Sequence, residues 1–231
     1  MPKPTKIGIF GGNEFQNNCR ETDKKFCNLF PHKNINVLII PTAATKENPN
    51  LAAQNGITHF NKLGVSASAL MLTNKVQSND KCFLVPINSS SLIYLTGGDP
   101  RYLHSILKDS QALVEIKKTL SAGTILIGSS AGAMAMGKYM LFNKLEPGLD
   151  LIPNTIIVPH FENHNDVNHL ATLSIDQNID ILGLETQAAC VTENDYWITL
   201  GNKKITLINK GTIREYSQNE TKIPLKFESL Q

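Results

Sequence analysis

The segment from Thr124 to Met136 constrains this chain most. Thr124–Ile127 is an apolar, β-branched run, Gly128-Ser129-Ser130-Ala131-Gly132 follows, and Ala133-Met134-Ala135-Met136 continues with small residues and methionines. A short run of that kind ending at glycine reads as a buried strand, and the small residues beyond it read as the start of a closely packed helix. Ser130 therefore falls on a sharp strand-to-helix turn. The pattern is Gly-x-Ser-x-Gly, in which the glycines relieve the crowding around a strained serine whose hydroxyl is lifted above the sheet. Ser129, one residue early, takes a supporting or structural position, because only the central residue of such a turn points at the cleft.

The remaining chain repeats the same grammar. Ile7–Phe10, Val37–Ile40, Leu92–Leu95 and Thr155–Val158 look like further buried parallel strands. Residues 19–30, 48–63, 100–108, 111–121, 131–140 and 166–178 have helical spacing or length. Strands alternating with helices predict an α/β fold, a three-layer sandwich around a mainly parallel, doubly wound sheet. Ligands in such sheets bind at the carboxyl ends of the strands. Residues 188–191, 196–200 and 203–209, with Gly201-Asn202 between the last two, predict a C-terminal β-hairpin that pads one sheet edge. The polar stretch 217–222 and the final residues are expected to be loosely ordered.

Composition narrows the function. With 231 residues, 41% hydrophobic and 18% charged, the chain has the makings of one globular domain, residues 1–231. A net charge of +2 with scattered Lys and Arg supplies no basic stripe, so nucleic acid is not an expected partner. No segment approaches the roughly 20 apolar residues that cross a bilayer, and the start carries no apolar leader, so a cytoplasmic protein without membrane attachment is expected. The four cysteines, Cys19, Cys27, Cys82 and Cys190, lack zinc-site spacing and read as reduced thiols.

The chemistry gathers around Ser130. The backbone N–H of Ala131, at the positive end of the following helix, is placed to stabilise an oxyanion. Thr96-Gly97-Gly98-Asp99-Pro100 also joins a strand to a helix. Its Gly97-Gly98 pair lets backbone approach a substrate, which makes the Gly98 N–H the second oxyanion donor. A serine nucleophile needs a base, usually histidine. Of six histidines, His160 directly follows the strand-like run 155–158 and Pro159, at the strand end where the other loops converge. His164 and His169 come slightly later and can line the same cleft. His32, His59 and His104 read as surface or packing residues. The carboxylates between Ser130 and His160 are Glu146 and Asp150. Spacing leaves both open for the acid that orients the imidazole; Glu146 is favoured.

These residues resemble the peptidase E and cyanophycinase family of serine peptidases. The matching pieces are Leu95-Thr96-Gly97-Gly98-Asp99, the segment 128–133, residues 148–153 leading to Val158-Pro159-His160-Phe161, and Gly183-Leu184-Glu185 before a terminal hairpin. They run in the family's order over roughly residues 5–210. The resemblance implies a class I glutamine amidotransferase-like fold, a Ser130–His160–acid triad, an oxyanion hole from Gly98 and Ala131, and hydrolysis of short aspartyl peptides or isopeptides through an acyl-enzyme, with no metal or organic cofactor. Asp99 and Glu185 would hold a substrate's free amine, or else serve as a helix cap and a hairpin-end charge. Two rivals stand beside this reading: another amidohydrolase, which on this fold would carry cysteine in place of Ser130, and a small-ligand-binding pseudoenzyme. An exposed hairpin edge is the surface a homodimer would use.

Overall fold

The computed structural model describes residues 5–30, 35–164 and 166–227. Its strands are β1 (Lys6–Phe10), β2 (Asn36–Ile40), β3 (Ser66–Ala69), β4 (Leu92–Leu95), β5 (Ile125–Ser129), β6 (Gly137–Leu141), β7 (Leu145–Pro147), β8 (Ile152–Pro159), β9 (Asp180–Leu184), β10 (Ala189–Glu193), β11 (Tyr196–Thr199), β12 (Ile205–Asn209), β13 (Thr212–Tyr216) and β14 (Lys222–Ile223). The helices are α1 (Arg20–Asn28), α2 (Pro49–Lys62), α3 (Val85–Asn88), α4 (Pro100–Leu107), α5 (Gln111–Ala122), α6 (Ala131–Met136) and α7 (Val167–Asp176).

Two sheets result. The larger runs β14-β11-β10-β1-β5-β4-β2-β3, parallel from β1 to β3 and antiparallel on the β10 side. Alternation along its strands shows why both faces are covered. Ile7, Ile9, Leu38, Ile40, Ile93 and Leu95 join one core, whereas Phe10, Val37, Ile39, Leu92 and Tyr94 join another with Phe26 of α1 and Phe60 of α2. The first core also takes in α4, α5 and α6 and one face of the smaller sheet, through Ile157, Leu182, Leu184 and Leu207. The other face of that sheet packs Ile156, Val158 and Ile181 beneath Leu170 of α7.

The α/β sandwich expected from the sequence is present, but β8 belongs to a second sheet, ordered β13-β12-β9-β8-β6-β7. The helix expected over 131–140 stops at Met136, and Gly137–Leu141 becomes β6, parallel to β8. The C-terminal hairpin is made by β10 and β11. Gly201-Asn202 does not turn that hairpin back on itself; the chain there leaves the larger sheet, and β12 pairs with β9 and β13 of the smaller one. Residues 217–222 are tied down as well. The Glu220 N–H donates to Thr199 O, and Asn219 Oδ1 accepts from both Gly201 N and Lys25 Nζ. His32 and residues 228–231 lie outside the described residues.

Packing around β5 and α6 leaves no room at the two glycines that flank the turn. A Cβ on Gly128 would stand 2.6 Å from Met136 Sδ and 2.7 Å from Ala133 N; one on Gly132 would stand 2.4 Å from the Leu95 carbonyl oxygen. The Leu95 contact is backbone and cannot swing aside. Gly132→Ala is therefore expected to lower stability by about 1–3 kcal/mol, the usual range for an overpacked core. A urea midpoint equal to that of the parent protein would contradict this account of the turn.

Candidate active site

Strand ends from both sheets meet at one place. Ser130 follows β5 with φ 47° and ψ −112°, a conformation that strains any residue with a side chain, and its N–H donates to Phe10 O at 3.1 Å. His160 follows β8 in the left-handed region, φ 51°, and donates its N–H to Gly11 O at 3.1 Å. These two backbones bring Ser130 Oγ within 3.0 Å of His160 Nε2. Gly12 makes the approach possible, since a Cβ there would stand 2.2 Å from Cε1 of the His160 ring.

On the far side of the imidazole, Nδ1 lies 2.9 Å from Thr186 Oγ1, in the loop after β9. The Thr186 hydroxyl in turn donates to Glu162 Oε1, and the Thr186 N–H donates to Glu162 Oε2 at 2.9 Å. Burial pushes the Glu162 carboxyl up, but the Thr186 hydroxyl, neighbouring N–H groups and the nearby His160 outweigh it and hold it below its usual value. An ionised carboxylate only accepts, so the single Thr186 proton points at Glu162, and the Thr186 oxygen is left to accept from Nδ1–H. That ordering leaves Nε2 unprotonated and facing Ser130, the tautomer a general base needs.

Glu146, expected to orient the histidine, does not meet it. It sits on β7 in a two-bond pairing with Arg101, at 2.8 and 2.9 Å, because β6 and β7 run out along the edge of the smaller sheet. The Arg101 hydrogen bond holds the Glu146 carboxyl low. Asp150 occupies a turn in which its N–H bonds Gly137 O. Gly97 lies beside Ser130: a Cβ there would be 3.4 Å from Ser130 Cβ. Its N–H, however, is taken by Glu14 Oε1 at 2.7 Å. Among the described residues, no acceptor meets the N–H of Gly98 (φ 133°) or of Ala131, the first residue of α6.

Asp99 caps α4, accepting from Tyr102 N at 3.0 Å, and its other oxygen pairs with Lys46 at 2.7 Å. Glu185 accepts from Lys204 N and lies 3.8 Å from Lys204 Nζ. His164 stacks on Phe161 at 5.6 Å on the surface. His59 is buried against Asp23 at 2.7 Å, and burial pushes the His104 ring's pKa down.

Three residues absent from the sequence reading complete the site: Thr186, Glu162 and Glu14. The last bridges two loops, since its Oε2 accepts from Ser129 Oγ at 2.8 Å. Its signal was the Gly11-Gly12 pair directly after β1, a third glycine-marked strand end. Among the described residues no group of three or more metal-ligating side chains stands together, and no helix is long and apolar enough to cross a membrane.

A family model for peptidase family S51 matches residues 8–200. The cyanophycinase of Geminocystis herdmanii is 24% identical over 230 residues, covering 93% of this chain and 84% of that protein. The cyanophycinase of Trichormus variabilis is 26% identical over 227 residues, 90% and 75% of the two chains. Two solved structures share the fold. One is a peptidase from an acI-B1 Actinobacterium, with TM-score 0.83 and 23% identity, covering 95% of this chain and 96% of that one. The other is a putative peptidase E protein from Listeria monocytogenes EGD-e, with TM-score 0.63 and 18% identity over 85% and 98%.

Cys19 Sγ donates to Asn13 O at 3.2 Å, beside Glu14, and among the described residues no thiol hydrogen-bonds Ser130 or His160. Burial pushes Cys19 and Cys27 up to about 11 and raises Cys190 well above its ordinary value, while Cys82 is exposed. Raised values mean less thiolate at any given pH. Titration of the native protein with a disulfide reagent at pH 8 is accordingly expected to label one cysteine quickly, with Cys82→Ser removing that phase. Rapid labelling that survives the substitution would contradict the buried assignment.

Proposed function

Because this chain belongs to peptidase family S51 and is a serine-type peptidase, we propose that it hydrolyses short aspartyl-type peptides or isopeptides, dipeptides among them, with Ser130 as nucleophile. The observation that carries this reading is the unbroken run of hydrogen bonds from Ser130 through His160 and Thr186 to Glu162. The cyanophycinase relatives support the substrate class.

In this mechanism Ser130 Oγ attacks the substrate carbonyl carbon while its proton passes to His160 Nε2. The imidazolium that forms keeps its Nδ1–H on the Thr186 oxygen, and the Glu162 charge lies one hydroxyl away. Charge on the tetrahedral oxygen is met by the N–H groups of Gly98 and Ala131. Collapse expels the amine, protonated from Nε2, and leaves an ester on Ser130. Water, deprotonated by the same nitrogen, then attacks the ester; the second tetrahedral intermediate expels Ser130 Oγ, which takes back the proton. The positive φ of Ser130 resembles that of a nucleophile elbow, which keeps Oγ clear of its own strand.

Measuring amine release from Asp-X and β-Asp-X dipeptides tests the proposal. Ser130→Ala and His160→Ala are expected to lower kcat by about 10³-fold or more. Thr186→Val and Glu162→Gln are expected to cost about 10²-fold with KM little changed, because they disturb the tautomer and not the binding surface. Turnover that survives in Ser130→Ala would remove serine from the nucleophile's role.

A further inference from the structure

The sequence offered Asp99 and Glu185 as receptors for a substrate amine, and each already faces a lysine, Lys46 and Lys204. Glu162 is committed to Thr186. Glu14 differs. Among the described residues it has no cationic partner, and it is half-buried at the cleft.

Its position is tightly defined. The space that a Cβ on Gly97 would fill lies 3.1 Å from Glu14 Oε1 and 3.4 Å from Ser130 Cβ, so carboxylate and nucleophile flank the same small volume. Gly97 N–H and Ser129 Oγ each donate to one carboxylate oxygen. A carboxylate accepts about four hydrogen bonds, so each oxygen retains capacity. The backbone on either side is held in the left-handed region, Asn13 at φ 56° and Phe15 at φ 65°, and strain of this kind persists only where the surroundings enforce it. Here the enforcement comes from the Phe15 ring, packed on Tyr94 at 4.8 Å and on His59 at 5.8 Å.

We infer that Glu14 is a specificity-determining residue that receives the free ammonium of the substrate residue whose carbonyl Ser130 attacks. This rests on the peptidase reading above. An amine two bonds from the scissile carbonyl carbon falls between the nucleophile and that carboxylate, and the charge-assisted hydrogen bond limits the enzyme to substrates with an unblocked amino end. A longer chain, acylated at that nitrogen, lacks the charge.

Binding separates this inference from turnover. In Ser130→Ala protein, calorimetry gives the affinities of aspartyl-leucine and N-acetyl-aspartyl-leucine, with and without Glu14→Gln or Glu14→Asp. The free dipeptide is expected to bind more tightly than its acetylated form. Glu14→Gln, which keeps the shape and removes the charge, should reduce that ratio by about 10- to 100-fold, and Glu14→Asp should preserve part of it. A ratio that Glu14→Gln leaves intact overturns the assignment. So does equal affinity for the two forms, or binding of neither, in the parent protein. Failure of wild-type protein to release leucine would instead strike the peptidase reading, whatever the affinities show.

Discussion

Everything at the site depends on how closely backbone passes backbone at Gly11 and Gly12. Phe10 O receives Ser130 N–H, Gly11 O receives His160 N–H, Gly11 N–H reaches Ala188 O, and Gly12 O receives Gln187 N–H. Three consecutive residues thereby join the loop after β5 in one sheet to the loops after β8 and β9 in the other. A side chain at Gly11 would stand 1.9 Å from the Glu185 carbonyl oxygen, and one at Gly12 would enter the His160 ring. The sheets can share a site only because that stretch has no Cβ, which also gives the positive φ of Gly12 its use.

Given that junction, charge sets direction. Two carboxylates approach the Ser130–His160 pair from opposite sides, and neither touches the imidazole. Glu162 orders the protons along a chain of hydrogen bonds, with Thr186 as the intermediary. Glu14 holds the glycine loop after β4 and Ser129 at the end of β5 in fixed relation. A carboxylate one hydroxyl removed from the histidine polarises it less than a direct contact does, yet it still fixes which ring nitrogen carries the proton. Orientation is kept where proximity is given up.

Much of this was legible in the chain. Ser130 and His160 could be read because each follows an apolar, β-branched run and a residue that ends strands, glycine or proline. The α/β class followed from the alternation of such runs with helical segments. Membership of two sheets could not be read, since a buried parallel strand carries the same residues whichever neighbour it pairs with. The carboxylate linked to His160 through Thr186 was missed for a related reason. Glu146 and Asp150 lie between Ser130 and His160 in sequence, but the carboxylate comes from just after His160 and reaches it through a threonine in the loop after β9, a strand not recognised in Asp180–Leu184. Spatial neighbours contributed by an unread strand leave no spacing to detect. Gly201-Asn202 misled in the opposite way, because a glycine at φ 116° serves a crossing between sheets as well as it serves a hairpin.

The place of β1 in the larger sheet also governs how the molecule assembles. It lies between β5 and β10, and Ile7 N–H is received by Thr192 Oγ1 across 185 positions of sequence. The strand that holds the glycine junction is thus finished on one side only when residues from the far end of the fold arrive. At ordinary ribosomal speeds that interval is roughly ten seconds or more. Until then β1 presents an unpaired edge of buried-type residues, and the loops it organises have no fixed partners. Pairing over such separations is slow to form, so the hydrolytic centre is expected to be among the last features to appear as the nascent polypeptide folds.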